Sequence, residues 1–113
     1  MSAAEREAMD DIFQQTKNAA YEIIRRKGYT NYAVGLAVTQ IVQSIVRDQN
    51  RVLTVSCMAD EIFGVSDVCL SLPAVVGRFG VTRRLNLALN QREQELLQQS
   101  AQTLRAVIDQ IKF

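Results

Sequence analysis

The sequence predicts an α+β fold of two long helices, a three-stranded antiparallel meander and a closing helix. Three observations predict it. Apolar residues recur three and four apart over residues 2–27 and again over 31–48. Between 52 and 81 the pattern switches to β-rich runs cut by short polar links. From 90 to 112 the helical spacing returns. With 113 residues and no repeat, linker or composition break, the chain reads as a single domain spanning 1–113.

In the first helix, Ser2 and Glu5 fit a capping box, in which each side chain satisfies the other's free backbone donor. Met9, Ile12, Phe13, Thr16, Ala20, Ile23 and Ile24 form its stripe, expected to be buried. Arg25, Arg26 and Lys27 crowd the last turn, where cations complement the helix dipole. An anion site there is the sharper reading, and a solvated turn the favoured one. Gly28 can adopt the positive φ that ends a helix, and Thr30 or Asn31 can cap the next.

The second helix presents Val34, Ala37, Val38, Ile41, Val42, Ile45 and Val46 on one broad side. Gly35 lies inside it, at a cost of about 1 kcal/mol relative to alanine. With Ala33 and Ala37 it suggests close approach, by a packed element or by a ligand. Val52–Cys57 is a first strand, Val68–Val76 a second and Val81 opens a short third beyond the Arg78-Phe79-Gly80 turn. Pro73 donates no ladder hydrogen bond, which predicts an edge strand or a bulge at that point. Asn90 and Glu93 repeat the capping box, and Leu97, Ala101, Leu104, Val107, Ile108 and Ile111 form the last helix's stripe.

Composition excludes much. A net charge of +1 with mixed signs gives no electrostatic case for nucleic acid. No apolar run approaches the roughly 20 residues that span a bilayer. A cytoplasmic setting is the expectation, with Cys57 and Cys69 as small buried thiols rather than a disulfide. There is no histidine, which removes the commonest general base near neutral pH and the commonest metal ligand. No glycine-rich phosphate loop is present, because Gly77 and Gly80 flank a hairpin turn. Asp10/Asp11 and Asp60/Glu61 are neighbours in sequence and do not face each other, so they read as solvated charge. On residues alone, an interaction module ranks ahead of an enzyme, and no catalytic or metal-binding residue is expected.

Several separated segments nevertheless resemble the lactate/malate dehydrogenase family, in particular NAD-dependent L-lactate dehydrogenases. They are Ala20-Tyr21-Glu22-Ile23-Ile24, Lys27-Gly28-Tyr29-Thr30, Ala33-Val34-Gly35-Leu36-Ala37-Val38 and Arg51-Val52-Leu53-Thr54-Val55-Ser56. Asp67 to Gly77, Gly80-Val81, Ser100-Ala101, Leu104 and the terminal Phe113 continue the match in order. The resemblance covers nearly the whole chain, but only the last third of the family's polypeptide, the C-terminal part of the substrate domain. The family's Rossmann motif, its His-Gly-Asp segment and its substrate and mobile-loop arginines all lie upstream of the matched region.

The resemblance implies NAD and lactate–pyruvate interconversion for an intact parent, and neither cofactor nor activity for this chain alone. It places Thr30 beside the substrate side chain, Ala20 across the same space and Val34 near the nicotinamide ring. Small neutral residues there suit a methyl-bearing substrate, because a charged substituent would stay unpaired. Met1 before Ser2-Ala3-Ala4 resembles an added start and Phe113 the family's end. The alternative is a non-enzymatic assembly module derived from that domain. The expected partners are the missing Rossmann part and a second copy in a symmetric dimer, with exchange of the first helix across Gly28 as one route.

Overall fold

Local capping sets the helix boundaries in the computed structural model, which describes residues 1–29 and 31–111. Helix α1 spans Ala3–Lys27, with Ser2 and Glu5 forming both halves of the capping box. Gly28 ends it at φ +86°, donating its N–H to the Ile24 carbonyl at 2.6 Å. Helix α2 spans Tyr32–Val46, stopping short of the expected Asp48, which sits at φ +50° in the turn. Strands β1 (Arg51–Ala59), β2 (Val68–Gly77) and β3 (Gly80–Arg84) precede helix α3 (Gln91–Gln110). Asn90 and Glu93 complete the second capping box. The α+β class and the element order agree with the sequence reading. Two units are distinguished, Met1–Gln40 and Ile41–Phe113.

In the second unit the sheet is antiparallel in the order β1-β2-β3. Alternation places Leu53, Val55, Cys57 and Ala59 of β1 on the same face as Val68, Leu70, Leu72, Ala74 and Val76 of β2. Ala101 of α3 joins Ala59, Val65, Val68, Leu70 and Leu72 in the core, with Leu97 and Ile108 packed against it. Leu104 and Val107, expected in that stripe, are exposed, as is Ile111, which caps the helix. The opposite sheet face, including Val52, Ser56, Met58 and Ser71, is open.

Pro73 requires a correction. It lies on the central strand opposite Thr54, and the register shift falls later, between Val75 and Val76. Its carbonyl accepts from Leu85 N–H at 3.0 Å, so its nitrogen also faces the β3 side, just where β3 ends at Arg84. The absent donor therefore falls beyond the third strand. The cysteines need a second correction. Cys57 faces the core side opposite Leu70, whereas Cys69 lies opposite Met58 on the open face and is exposed. Both are free, and their placement on opposite faces excludes a bond between them.

One end of the sheet is clasped by the turn after α2. Ser44 is fully buried; its Oγ donates to the Val76 carbonyl at 2.6 Å and accepts from Arg51 N–H at 3.4 Å. Asp48 Oδ1 accepts from Arg78 N–H at 2.9 Å. Gly77 packs so tightly here that a Cβ would run into Asn50 Oδ1. At the other end, α3 holds the 60–67 turn. Gln98 donates to the Phe63 carbonyl, and Arg105 reaches both the carbonyl and the carboxylate of Asp67. Asp109, hydrogen-bonded to the same guanidinium, holds the Arg105 pKa above its ordinary value.

Candidate functional site

The joint between α1 and α2 carries the residues singled out by resemblance, and it lies wholly in the first unit. Thr30 falls outside the described residues. Ala20 lies two turns before the end of α1 and Val34 in the first turn of α2, and both are exposed. Lys27 Nζ sits 4.4 Å from the Tyr32 ring centroid and 5.6 Å from that of Tyr29. This cation–π pair braces the joint and contributes about 0.5–1 kcal/mol at an exposed site. It was missed in the sequence, although a lysine followed two and five residues later by tyrosines was its signal.

The cations of the last turn are partly spoken for. Glu22 accepts from Arg25 at 2.8 Å and from Arg26 at 2.8 Å. Arg25, and then Arg26, hold the Glu22 carboxyl below its ordinary range. This supports the solvated-turn reading over an anion site. At Gly35 a Cβ would meet nothing within 4 Å among the described residues, and neither a packed element nor a ligand is decided by it.

The stripe of α1, expected to be buried, contains no buried residue. Met9 is 60% exposed, Ile12 60% and Phe13 61%. On α2, Val34, Val38, Val42 and Val46 are exposed, and the fully buried residue is the polar Ser44.

Three open concavities, of about 530, 600 and 570 Å³, are all lined by the second unit, and neither Ala20 nor Val34 lines any of them. Among the described residues no group of three or more His, Cys, Asp or Glu side chains converges as a metal site. None of their helices is long and apolar enough to cross a membrane.

A dinucleotide would require a strand-to-helix turn whose backbone N–H groups cradle phosphates. The left-handed glycines here, Gly28, Gly64 and Gly80, follow a helix, sit in a loop and open a strand. The described residues therefore do not fit the phosphates of NAD.

A long helix, a glycine joint, a second helix, a three-stranded meander and a closing helix follow one another in the chain, an order that defines an α+β class. The whole chain, residues 1–113, matches the family described as lactate/malate dehydrogenase, alpha/beta C-terminal domain, and it belongs to that family. Within the family, its curated relatives include L-lactate dehydrogenases. The protein from Synechococcus sp. (strain JA-3-3Ab) is 57% identical over 105 residues, 93% of this chain and 34% of the relative. That from Gloeobacter violaceus is 50% identical over 105 residues, covering 93% and 32%.

Among solved structures, a lactate dehydrogenase from a Medee basin deep-sea metagenome library aligns with a TM-score of 0.88 at 36% identity. It covers 91% of this chain and 33% of that one. The malate dehydrogenase from Aeropyrum pernix aligns with a TM-score of 0.85 at 26% identity, covering 96% and 36%. The chain thus spans about a third of the length of the relatives it matches.

Proposed function

We propose that this chain is the C-terminal, substrate-side third of an NAD-dependent L-lactate dehydrogenase that interconverts lactate and pyruvate in the cytoplasm. The observation that carries the reading is 57% identity to an L-lactate dehydrogenase across 93% of the chain. In this reading the remaining two thirds supply the cofactor site, the proton donor and the carboxylate clamp. Hydride transfer between the nicotinamide and the substrate carbon needs all three.

This chain contributes one wall of the pocket. Thr30 lies against the substrate methyl, Ala20 keeps the facing space small, and Val34 gives the cofactor ring an apolar neighbour. Discrimination is then by size and by the penalty on an unpaired charge. With no histidine anywhere in its sequence, the chain alone lacks the usual proton donor and reduces no pyruvate.

The test is a chimera. The first two thirds of the Synechococcus relative are joined to residues 1–113 in place of its own last third. The expected result is NADH-dependent pyruvate reduction by the chimera and none by the isolated chain. A folded, soluble chimera without turnover, or turnover by the isolated chain, overturns the proposal. In the active chimera, Thr30→Gln lowers kcat/KM for pyruvate by at least about tenfold with the KM for NADH unchanged. Unchanged pyruvate kinetics would reduce Thr30 to a helix cap.

A further inference from the structure

We propose that Lys27 is a positioning residue. Its ammonium, shared between the rings of Tyr29 and Tyr32, holds the joint between α1 and α2 and so fixes how Thr30 meets the substrate side chain. The role rests on the proposed reading of the joint as one wall of a 2-oxoacid pocket, and Lys27 is the group that keeps that wall in place. Every residue of this clamp lies within Met1–Gln40.

The chain order sets up the clamp. Lys27 is the last residue of α1 and Tyr32 the first of α2. Gly28 follows Lys27 at φ +86°, and a Cβ there would meet nothing within 4 Å, so the bend itself carries no side chain to hold it. Lys27 Nζ lies 4.4 Å from the Tyr32 centroid and 5.6 Å from that of Tyr29. Both distances fall within the roughly 6 Å over which a ring face attracts a cation. One ammonium therefore ties the end of one helix to the start of the next. The two rings flank Thr30 in the sequence, one residue before it and two after.

The charges of the last turn are divided so that Lys27 is left for this task. Arg25 and Arg26 both go to the Glu22 carboxylate, each at 2.8 Å. The other ion pairs among the described residues belong to Arg105, so none of these carboxylates draws Lys27 away from the rings.

Selection by size needs a wall that stays put. A side chain that rejects one extra methylene does so only while its own position is held to within about 0.5 Å, since a wall that yields further admits the larger group. Loss of the clamp therefore relaxes the choice between pyruvate and a longer 2-oxoacid before it disturbs the cofactor.

Steady-state kinetics of the active chimera, with pyruvate and 2-oxobutanoate as paired substrates, test this. Lys27→Met and Tyr32→Leu each lower the ratio of kcat/KM for pyruvate to that for 2-oxobutanoate by roughly two- to fivefold, the range that an exposed cation–π contact carries. The KM for NADH stays unchanged. Lys27→Arg and Tyr32→Phe keep a cation and a ring face, and they retain the ratio. Lys27→Met combined with Tyr32→Leu loses no more than either alone, because both remove one contact. Both substrates are measured on one preparation, so partial loss of folded enzyme cancels in the ratio. In the 113-residue chain, free of any catalysis, ring currents move the Lys27 ε-methylene proton resonances upfield, and Tyr32→Leu abolishes most of that shift.

A folded chimera without turnover overturns the reading of the pocket, and the selection role with it. An active chimera in which Lys27→Met keeps the ratio, or in which Lys27→Arg loses it as fully as Lys27→Met, overturns the clamp alone. So does a chain whose Lys27 resonances show no upfield shift.

Discussion

Replacing Ser44 by alanine removes one oxygen from a fully buried position and tests how α2 is fastened to the sheet. The hydroxyl donates to the Val76 carbonyl at 2.6 Å, 32 residues away in sequence, and accepts from Arg51 N–H at 3.4 Å. Without it, the carbonyl of a residue only 2% exposed loses a short hydrogen bond with no route to water. A buried polar group left in that state costs about 1–3 kcal/mol. The longer contact to Arg51 adds little, so about 2 kcal/mol is expected, lowering the midpoint by roughly 8–16 °C for a unit of this size.

The assay is urea unfolding followed by circular dichroism at fixed protein concentration, with the slope m unchanged between variants. Thr39→Ala is the control. Its hydroxyl donates to the Gly35 carbonyl at 2.8 Å on an exposed helix face, where water replaces it, and alanine is the better helix former. Thr39→Ala is expected within about 0.5 kcal/mol of wild type. Equal effects for the two substitutions would refute the reasoning, since burial is what separates them.

Two further outcomes follow from the same geometry. Gly77→Ala drives a Cβ into Asn50 Oδ1, the end of an exposed side chain that can turn away, so the cost is expected below about 1 kcal/mol, and Asn50→Ala in the same chain recovers part of that loss. Strict additivity in this double-mutant cycle would show that the contact is absent. Acid is expected to fray α1. The backbone N–H of Ser2, then its hydroxyl, holds Glu5 below the ordinary carboxylate range, and Arg25 and Arg26 do the same for Glu22. A depressed folded pKa stabilises above the unfolded value and is lost as pH falls through the folded one. Helical circular dichroism therefore drops below about pH 4, and Glu5→Gln with Glu22→Gln flattens that drop.

What was legible in the sequence was local. Ser2 with Glu5, Gly28, and Asn90 with Glu93 act within a few residues of themselves, so helix ends could be read directly. The β-rich run Val52–Cys57 was likewise legible as a strand, while the face shared by Leu53, Val55 and Cys57 emerged only with the partner strand in place. Pro73 was misplaced because its tolerance depends on where a partner strand stops, and Arg84 carries no local sign of that. Ser44 was overlooked because a serine within an apolar stripe gains meaning only from a carbonyl 32 residues on. The candidate site was the least legible part. Ala20, Thr30 and Val34 stand out by resemblance alone, and no clustering of reactive groups marks them.

The stripes of α1 and α3 show why periodicity cannot predict burial by itself. Both helices open with a capping box and both carry apolar residues at helical spacing. Ala101, Leu97 and Ile108 of α3 found a core, whereas no α1 residue is buried. The difference follows from dimensions. Three strands about 4.8 Å apart offer a face about 10 Å from first to third, and one helix with its side chains is about 10–12 Å across. In this sheet α3 occupies that width against β2, with Ala101 small enough to let the backbones approach. The other face, with Thr54, Ser56 and Ser71 among its residues, stays open within this unit, so the same alternation that seats α3 on one side seats no helix of the unit on the other.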